Sequence, residues 1–234
     1  IDVMGIHERL ASGFFGGRQS CNLSVDSTPV DAYERPVRKE RKAKRKRGRK
    51  RKGSQEEAEH LRRKAEEKEL RELRNTGDVR SYLGTLESGC TVTGKRNSKG
   101  NMAWRIGYKL HLAVDDNGIP VSYAVTGASV HDSRVAIPLL RMAAERCSYR
   151  YALMDAGYAS AEIHDAVTRL GAVPIIDGKA NRNGEKEEME PALRERYRAR
   201  TTVERSNSEV KGCFLPDHLR SRGYKARLDI ELAV

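Results

Sequence analysis

The stretch from Ile106 to Val125 constrains the fold more than any other part of the chain. In 106–114, Ile106, Tyr108, Leu110, Leu112 and Val114 alternate with Gly107, Lys109, His111 and Ala113. Alternation with a period of two over that length is the mark of a strand with one apolar face. Asp115-Asp116-Asn117-Gly118 follow, and an Asn-Gly pair tolerates the positive φ of a tight turn. Ile119, Val121, Tyr123 and Val125 then alternate on the way back. The reading is a β-hairpin with one buried face.

The elements around it alternate in type. Upstream, 22–30 (NLSVDSTPV) reads as a strand, with Leu23 and Val25 on one side and Ser24, Asp26 and Thr28 on the other. Pairing is expected to end at Pro29. Downstream, Asp132 is expected to cap a helix running to about Arg146. YALMD (151–155) reads as a short buried strand, and Ser160 caps a helix to about Leu170. AVPIID (172–177) is another buried strand, followed by a polar loop and a long helix over roughly 189–214. Strands alternating with helices place the chain in the α/β class, a central sheet with helices packed on it.

Between the first strand and the hairpin lies an insertion, 35–102. Its first part, 35–53, holds most of the chain's charge. Twelve Lys/Arg and one Glu lie between Arg38 and Lys52, and the remaining 33 basic and 32 acidic residues nearly cancel. Such a block has nothing apolar to bury and stays exposed. It is either a solvated surface arm or an arm that neutralises DNA phosphates, with Arg45, Lys46, Arg47, Arg49 and Lys50 at its centre. Ser54 then opens a charged helix (54–75) through a capping box with Glu57, supported by Glu59–Arg63 and Glu67–Arg71 pairs. Residues 84–102, with four glycines, read as loop. Cys21, Cys90, Cys147 and Cys213 are scattered, which argues against a cysteine zinc site and fits a reducing compartment. No apolar run approaches the roughly 20 residues that a membrane helix needs.

The segment YRARTTVERSNSEVK (197–211) carries the most chemistry. On a helical wheel, Tyr197, Arg200, Glu204 and Lys211 fall within an arc of about 60°, a polar line about 21 Å long. Val203, Val210 and Phe214 form the adjoining apolar stripe, with Asn207 between the two. An Arg–Glu pair four residues apart is by itself an ordinary ion pair on a helix surface. Two aspartates join the set: Asp26, within a strand, and Asp155, at the end of one. An Asp at a strand end is by itself usually a turn former or cap. Three carboxylates on elements that can converge in one sheet instead suit hard divalent cations. Two Mg²⁺ ions roughly 3.5–4 Å apart would activate a water or a 3′-hydroxyl at a phosphodiester.

SVDSTPV, GYKLHLAVDDNGIPVSYAVTGASVHDS, YALMDAGY and YRARTTVERSNSEVK resemble the blocks of bacterial insertion-sequence DDE transposases. The resemblance is to the group with a Y-x2-R-x3-E-x6-K element, whose spacing Tyr197, Arg200, Glu204 and Lys211 match in full. It implies an RNase H-like mixed sheet flanked by helices over 22–234, with the basic and charged-helix insertion after the first strand. It also implies Asp26, Asp155 and Glu204 as catalytic residues holding two Mg²⁺ (or Mn²⁺) ions, with Tyr197, Arg200 and Lys211 on DNA phosphates. The function implied is DNA cleavage and strand transfer on double-stranded DNA, both transposon ends and target. The enzyme would act as a homodimer in the synaptic complex, in a bacterial cytoplasm at the nucleoid, without a membrane. Only 25 residues precede Asp26, so 1–21 is expected to be the remnant of a longer N-terminal region. A truncated or domesticated non-catalytic DNA-binding remnant, and a nuclease without strand transfer, are the alternatives.

The remaining candidates have plainer readings. His131 and Asp132 form an HD pair, but helix capping by Asp132 is the expectation. Asp177 ends a strand near the triad and is either a neighbour of the site or a loop cap. Trp104 is expected in the core rather than stacked on a base, and Lys179 and Arg182 on solvated surface.

Overall fold

The structure, a computed structural model, describes residues 2–37, 48, 52–96, 100–178 and 188–234. The arm residues Arg45, Lys46, Arg47, Arg49 and Lys50 lie outside the described residues, as do Lys179 and Arg182.

The hairpin forms, and a six-stranded mixed sheet is built around it. In chain order the elements are α1 (Val3–Phe15), β1 (Gln19–Asp31), α2 (Gln55–Asn75), α3 (Val79–Gly84), β2 (Thr91–Arg96), β3 (Met102–Val114) and β4 (Pro120–Gly127). After them come α4 (Ser133–Arg146), β5 (Ser148–Met154), α5 (Ala161–Arg169), β6 (Val173–Ile176), α6 (Pro191–Tyr197), α7 (Thr201–Glu209) and α8 (Tyr224–Leu232). β3 pairs antiparallel with β1, β2 and β4, while β5 runs parallel to both β1 and β6.

The hairpin differs from its sequence reading in one respect: both faces are buried. Tyr108, Leu110, Leu112 and Val114 join a core with Val203, Val210, Ala226 and Ile230 from the α7 and α8 side. His111 and Ala113, on the opposite face, are equally inaccessible, because α4 lies there. That second core takes Leu23 and Val25 of β1, Ala152 and Met154 of β5, and residues of α1, α3, α4 and α5. Helices on both faces explain why the later strands read as apolar runs rather than alternating ones.

Pairing does not stop at Pro29, which stands opposite Lys109, and continues to Asp31 opposite Gly107. β5 accompanies β1 only as far as Val25, so beyond it the edge of β1 away from β3 has no strand to satisfy and a missing N–H is tolerated there. Nor is 84–102 simply loop. β2 pairs with the outer half of β3, which starts at Met102 rather than Ile106. Both are exposed there, so the apolar signal of a strand is missing.

At the turn, Gly118 has φ +82° and Asp115 accepts N–H bonds from Asn117 and Ile119. Asp116 reaches across to the start of β1, accepting from the Cys21 and Asn22 amides and the Asn22 side chain. This ties the turn to the strand that carries Asp26.

α2 is capped by Ser54 as expected, with the Ser54 hydroxyl accepting the Glu57 N–H, while the Glu57 carboxylate takes the Gly53 N–H. Its ion pairs are Arg62–Glu66 and Lys68–Glu72 rather than those expected, and Arg71 turns to Glu162 of α5 instead. α2 has no buried residue. It is held at its C-terminal end, where Arg71, Arg74 and Asn75 converge on Glu162. Arg141 of α4 donates there to the Arg74 and Gly77 carbonyls. Among the described residues no helix is long and apolar enough to cross a membrane.

Candidate active site

β1 and β5 set the position of the first two carboxylates. The last pair of their parallel register is Val25 opposite Met154, and both side chains enter the α4 core. Asp26 is the next residue of β1, and Asp155, still extended, directly follows the last residue of β5. Alternation turns both to the opposite face. Two aspartates thus lie on neighbouring parallel strands, Asp26 within β1 and Asp155 just past the end of β5, on strands about 5 Å apart in the sheet.

The 191–214 segment crosses that face. It is not one uniform helix. α6 and α7 are joined by a tightened 3-10 turn at Arg198–Arg200, and α7 widens into a π-turn at Val210–Phe214. In a 3-10 turn, residues three apart eclipse, which stacks Arg200 over the ring of Tyr197 at 5.6 Å. Val203 and Val210 are buried against β3, and burying each contributes about 1.5–3 kcal/mol toward fixing α7 in place. Phe214, expected on that stripe, is 64% exposed, because the π-turn rotates it away. The Ser24 hydroxyl donates to the Ala199 carbonyl at 3.4 Å, holding the 3-10 turn on β1.

Asp26 is the electrostatic centre of this group. Burial raises its carboxyl to about 6, with Asp155 and Glu204 pushing the same way and the Ser27 N–H and Arg200 opposing. Asn207 donates its side-chain amide to Asp26 Oδ2 at 3.2 Å. Asp155 accepts the Gly157 N–H at 2.8 Å and so caps a short turn, Ala156–Tyr158. Glu204 is exposed and ion-paired with Arg200. Although burial works against it, Arg200 is held above its ordinary pKa by Tyr197, Glu204, Asp26 and Asp155. The guanidinium therefore supplies the positive charge that this acidic group needs. Burial raises Tyr197, opposed by Arg200 and aided by Asp177 and Asp155, which puts Asp177 in the same neighbourhood. Lys211 lies in the π-turn, half-buried.

The donor set is made of hard oxygens, the kind that Mg²⁺ and Mn²⁺ take. A carboxyl raised by burial and by like charges is one that a cation would relieve. As the side chains stand, no group of three His, Cys, Asp or Glu among the described residues is arranged to hold a metal ion. Glu204 would have to exchange Arg200 for the ion.

Behind the carboxylates, on the α4 face, is a polar group that the sequence reading missed. Lys109 donates to Asp132 at 2.9 Å and to the Val130 carbonyl at 2.8 Å. Asp132 therefore does not cap α4, and its side chain makes no cap bond. Burial pushes its carboxyl up, but Lys109 outweighs burial and holds it below its ordinary value. His111, fully buried, bonds Thr126 at 2.9 Å, and burial lowers its pKa to about 3. Burial raises the Tyr158 hydroxyl, and Asp132, Asp26 and Asp155 add to it, so this group and the carboxylates are close through the sheet. The one sequence signal is a lysine and a histidine at inward positions of an otherwise apolar hairpin.

Residues 78–228, more than half of the chain, match the family described as a transposase DDE domain. The chain belongs to that family. The matched stretch includes Asp155, Tyr197, Arg200, Glu204 and Lys211, and Asp26 lies before it. Neither the curated proteins nor the solved structures gave a match. A mixed sheet flanked by helices agrees in general terms with the architecture of such domains.

Proposed function

We propose that this transposase-family chain cuts and joins double-stranded DNA, on an RNase H-like sheet, with Asp26, Asp155 and Glu204 holding two Mg²⁺ or Mn²⁺ ions. The observation that carries the reading is that Asp26 and Asp155 each follow the last register pair of adjacent parallel strands, Val25 opposite Met154, beneath the helix that bears Glu204. When bound, the ions lower the pKa of the attacking oxygen and neutralise charge on the leaving one. Cleavage is attack of water on a phosphodiester phosphorus with departure of the 3′-oxygen. Strand transfer is attack of that 3′-hydroxyl on a phosphodiester phosphorus of the target, with departure of the target strand's 3′-oxygen as a new 3′-hydroxyl.

The chain's own residues position the substrate. Asn207 holds the Oδ2 oxygen of Asp26. Arg200, paired with Glu204 in this structure, would be released if Glu204 turned to an ion, and its planar fork would then suit two non-bridging phosphate oxygens. Tyr197, like any tyrosine of pKa about 10, keeps its proton at neutral pH and so can donate to a phosphate. Lys211, about two helical turns beyond Glu204, meets a neighbouring phosphate. None of these interactions reads base identity. The enzyme works as a homodimer at paired DNA ends.

The test is incubation of the chain with supercoiled plasmid in Mg²⁺. Nicked and joined products that vanish with chelator are expected. Metal-independent products, or none at any metal concentration, would contradict the reading.

A further inference from the structure

The outer half of the β2–β3 pair stands free of the body. β1 ends its pairing with β3 at Gly107 and a last backbone bond from Ala32 reaches the Ile106 carbonyl, so 102–105 has only β2 hydrogen-bonded beside it, and every residue there is exposed. An isolated two-stranded ribbon is marginal in water. This one is braced across the strands: Gly94 faces Trp104, and a Cβ on Gly94 would lie 2.9 Å from the indole and 2.7 Å from the Met102 methyl. The two side chains lie over the glycine, as an aromatic covers a strand glycine elsewhere. The base is fixed by Arg105, which pairs with Asp31 at 3.1 Å. Trp104, expected in the core, is instead 68% exposed.

The ribbon's charge is one-sided. No Asp or Glu occurs between Thr91 and Gly107. Lys95 and Arg96 are exposed and form no ion pair among the described residues. Its direction is also informative. Asp26 is level with Leu112 on β3, and the ribbon continues β3 past the C-terminal end of β1, the direction in which β1 runs on from Asp26. Lys95 and Arg96 stand opposite Ala103 and Met102, nine and ten positions from Leu112. At ~3.4 Å per residue they are roughly 30–34 Å from the level of the carboxylates. Phosphates of one DNA strand advance ~3.4 Å per nucleotide, so the span corresponds to about nine or ten base pairs.

We propose that the β2–β3 ribbon is a second DNA-contacting site, in which Lys95 and Arg96 hold the phosphate backbone of duplex DNA about one helical turn from the scissile bond. A two-stranded ribbon has dimensions that enter a major groove. A second copy of the chain is the other occupant such a ribbon could take. In a two-fold interface, however, a patch meets itself, and a patch with free cations and no acid offers its own image only repulsion. The inference rests on the reading that duplex DNA is the substrate.

The test compares the full chain with Lys95→Ala/Arg96→Ala and with the charge-keeping Lys95→Arg/Arg96→Lys. Binding of a 30-base-pair duplex is followed by fluorescence anisotropy in chelator, over a salt series. With two phosphates no longer neutralised, the slope of log affinity against log salt is expected to flatten by about 1.8, and binding to weaken about tenfold at low salt. The charge-keeping variant should retain the wild-type slope. Wild-type binding with an unchanged slope in the alanine variant would overturn the ribbon and leave the DNA reading standing. A variant that loses self-association but keeps its slope would overturn it in favour of an interface between copies. No salt-dependent binding by the wild type would overturn both.

Discussion

Replacing Asp26 by Asn changes the charge of the site while keeping its shape, and an Asn oxygen can still accept from Asn207. Burial and two neighbouring carboxylates raise Asp26 from 3.8 to about 6. The folded protein thus holds the proton more tightly than the unfolded chain. The stability this contributes is complete below about pH 3.8 and is lost as pH rises through about 6. About two units at ~1.36 kcal/mol each come to about 3 kcal/mol. Asn has no proton to lose. In chelator, Asp26→Asn should match the wild type near pH 4 and exceed it by up to about 3 kcal/mol at pH 7.5. Urea unfolding followed by far-ultraviolet circular dichroism at both pH values measures the difference. Mg²⁺ should narrow the gap, because it binds the folded wild type, adding about 2.7 kcal/mol at a hundred times its Kd. A variant whose advantage over the wild type does not grow from pH 4 to 7.5 would refute the premise that Asp26 is an electrostatic burden in the metal-free fold.

Asp116→Ala strips acceptors from the Cys21 and Asn22 amides and should cost about 1–3 kcal/mol, seen as a lower Tm. Glu162→Gln removes the anchor of α2. The Arg71 hydrogen bond, against the effect of burial and with Arg74 and Asn75 adding to it, lowers Glu162 to about 2. Its contribution is therefore present above about pH 4.5 and is lost as pH falls through 2. After discounting for solvent screening, a loss of about 1–2 kcal/mol at pH 7 is expected, shrinking toward pH 2, with faster amide exchange in α2. Deleting 38–52 should flatten the salt dependence of DNA binding by about 0.9 for each phosphate that the arm neutralises; an unchanged slope would show that the arm does not touch DNA.

The β-hairpin, β5, β6 and the capped helices are legible in the sequence because their apolar periods are set by the faces they bury. α1 is not, because Gly5 and Gly13 interrupt a short amphipathic stretch. β2 is not, because its outer half, Gly94–Arg96, is exposed on both faces and has no burial period to read. In the site, a uniform wheel approximates the alignment of Tyr197, Arg200 and Glu204, but it cannot show the 3-10 and π-turns that stack Arg200 on Tyr197 and expel Phe214. Those departures come from packing against β1 and β3. Asp132 reads locally as a cap, and only the long-range approach of Lys109, across 23 residues, gives it a different partner.

The most direct measurement is the rate of Mg²⁺-dependent plasmid nicking by Asp26→Asn, Asp155→Asn and Glu204→Gln, singly and in pairs, with folding checked by circular dichroism. Residues that act as one unit lose activity together rather than additively. Each single variant should fall by about a thousandfold or more while staying folded, and no pair should fall appreciably further. A folded single variant that nicks at the wild-type rate would remove that residue from the site and contradict a shared metal centre.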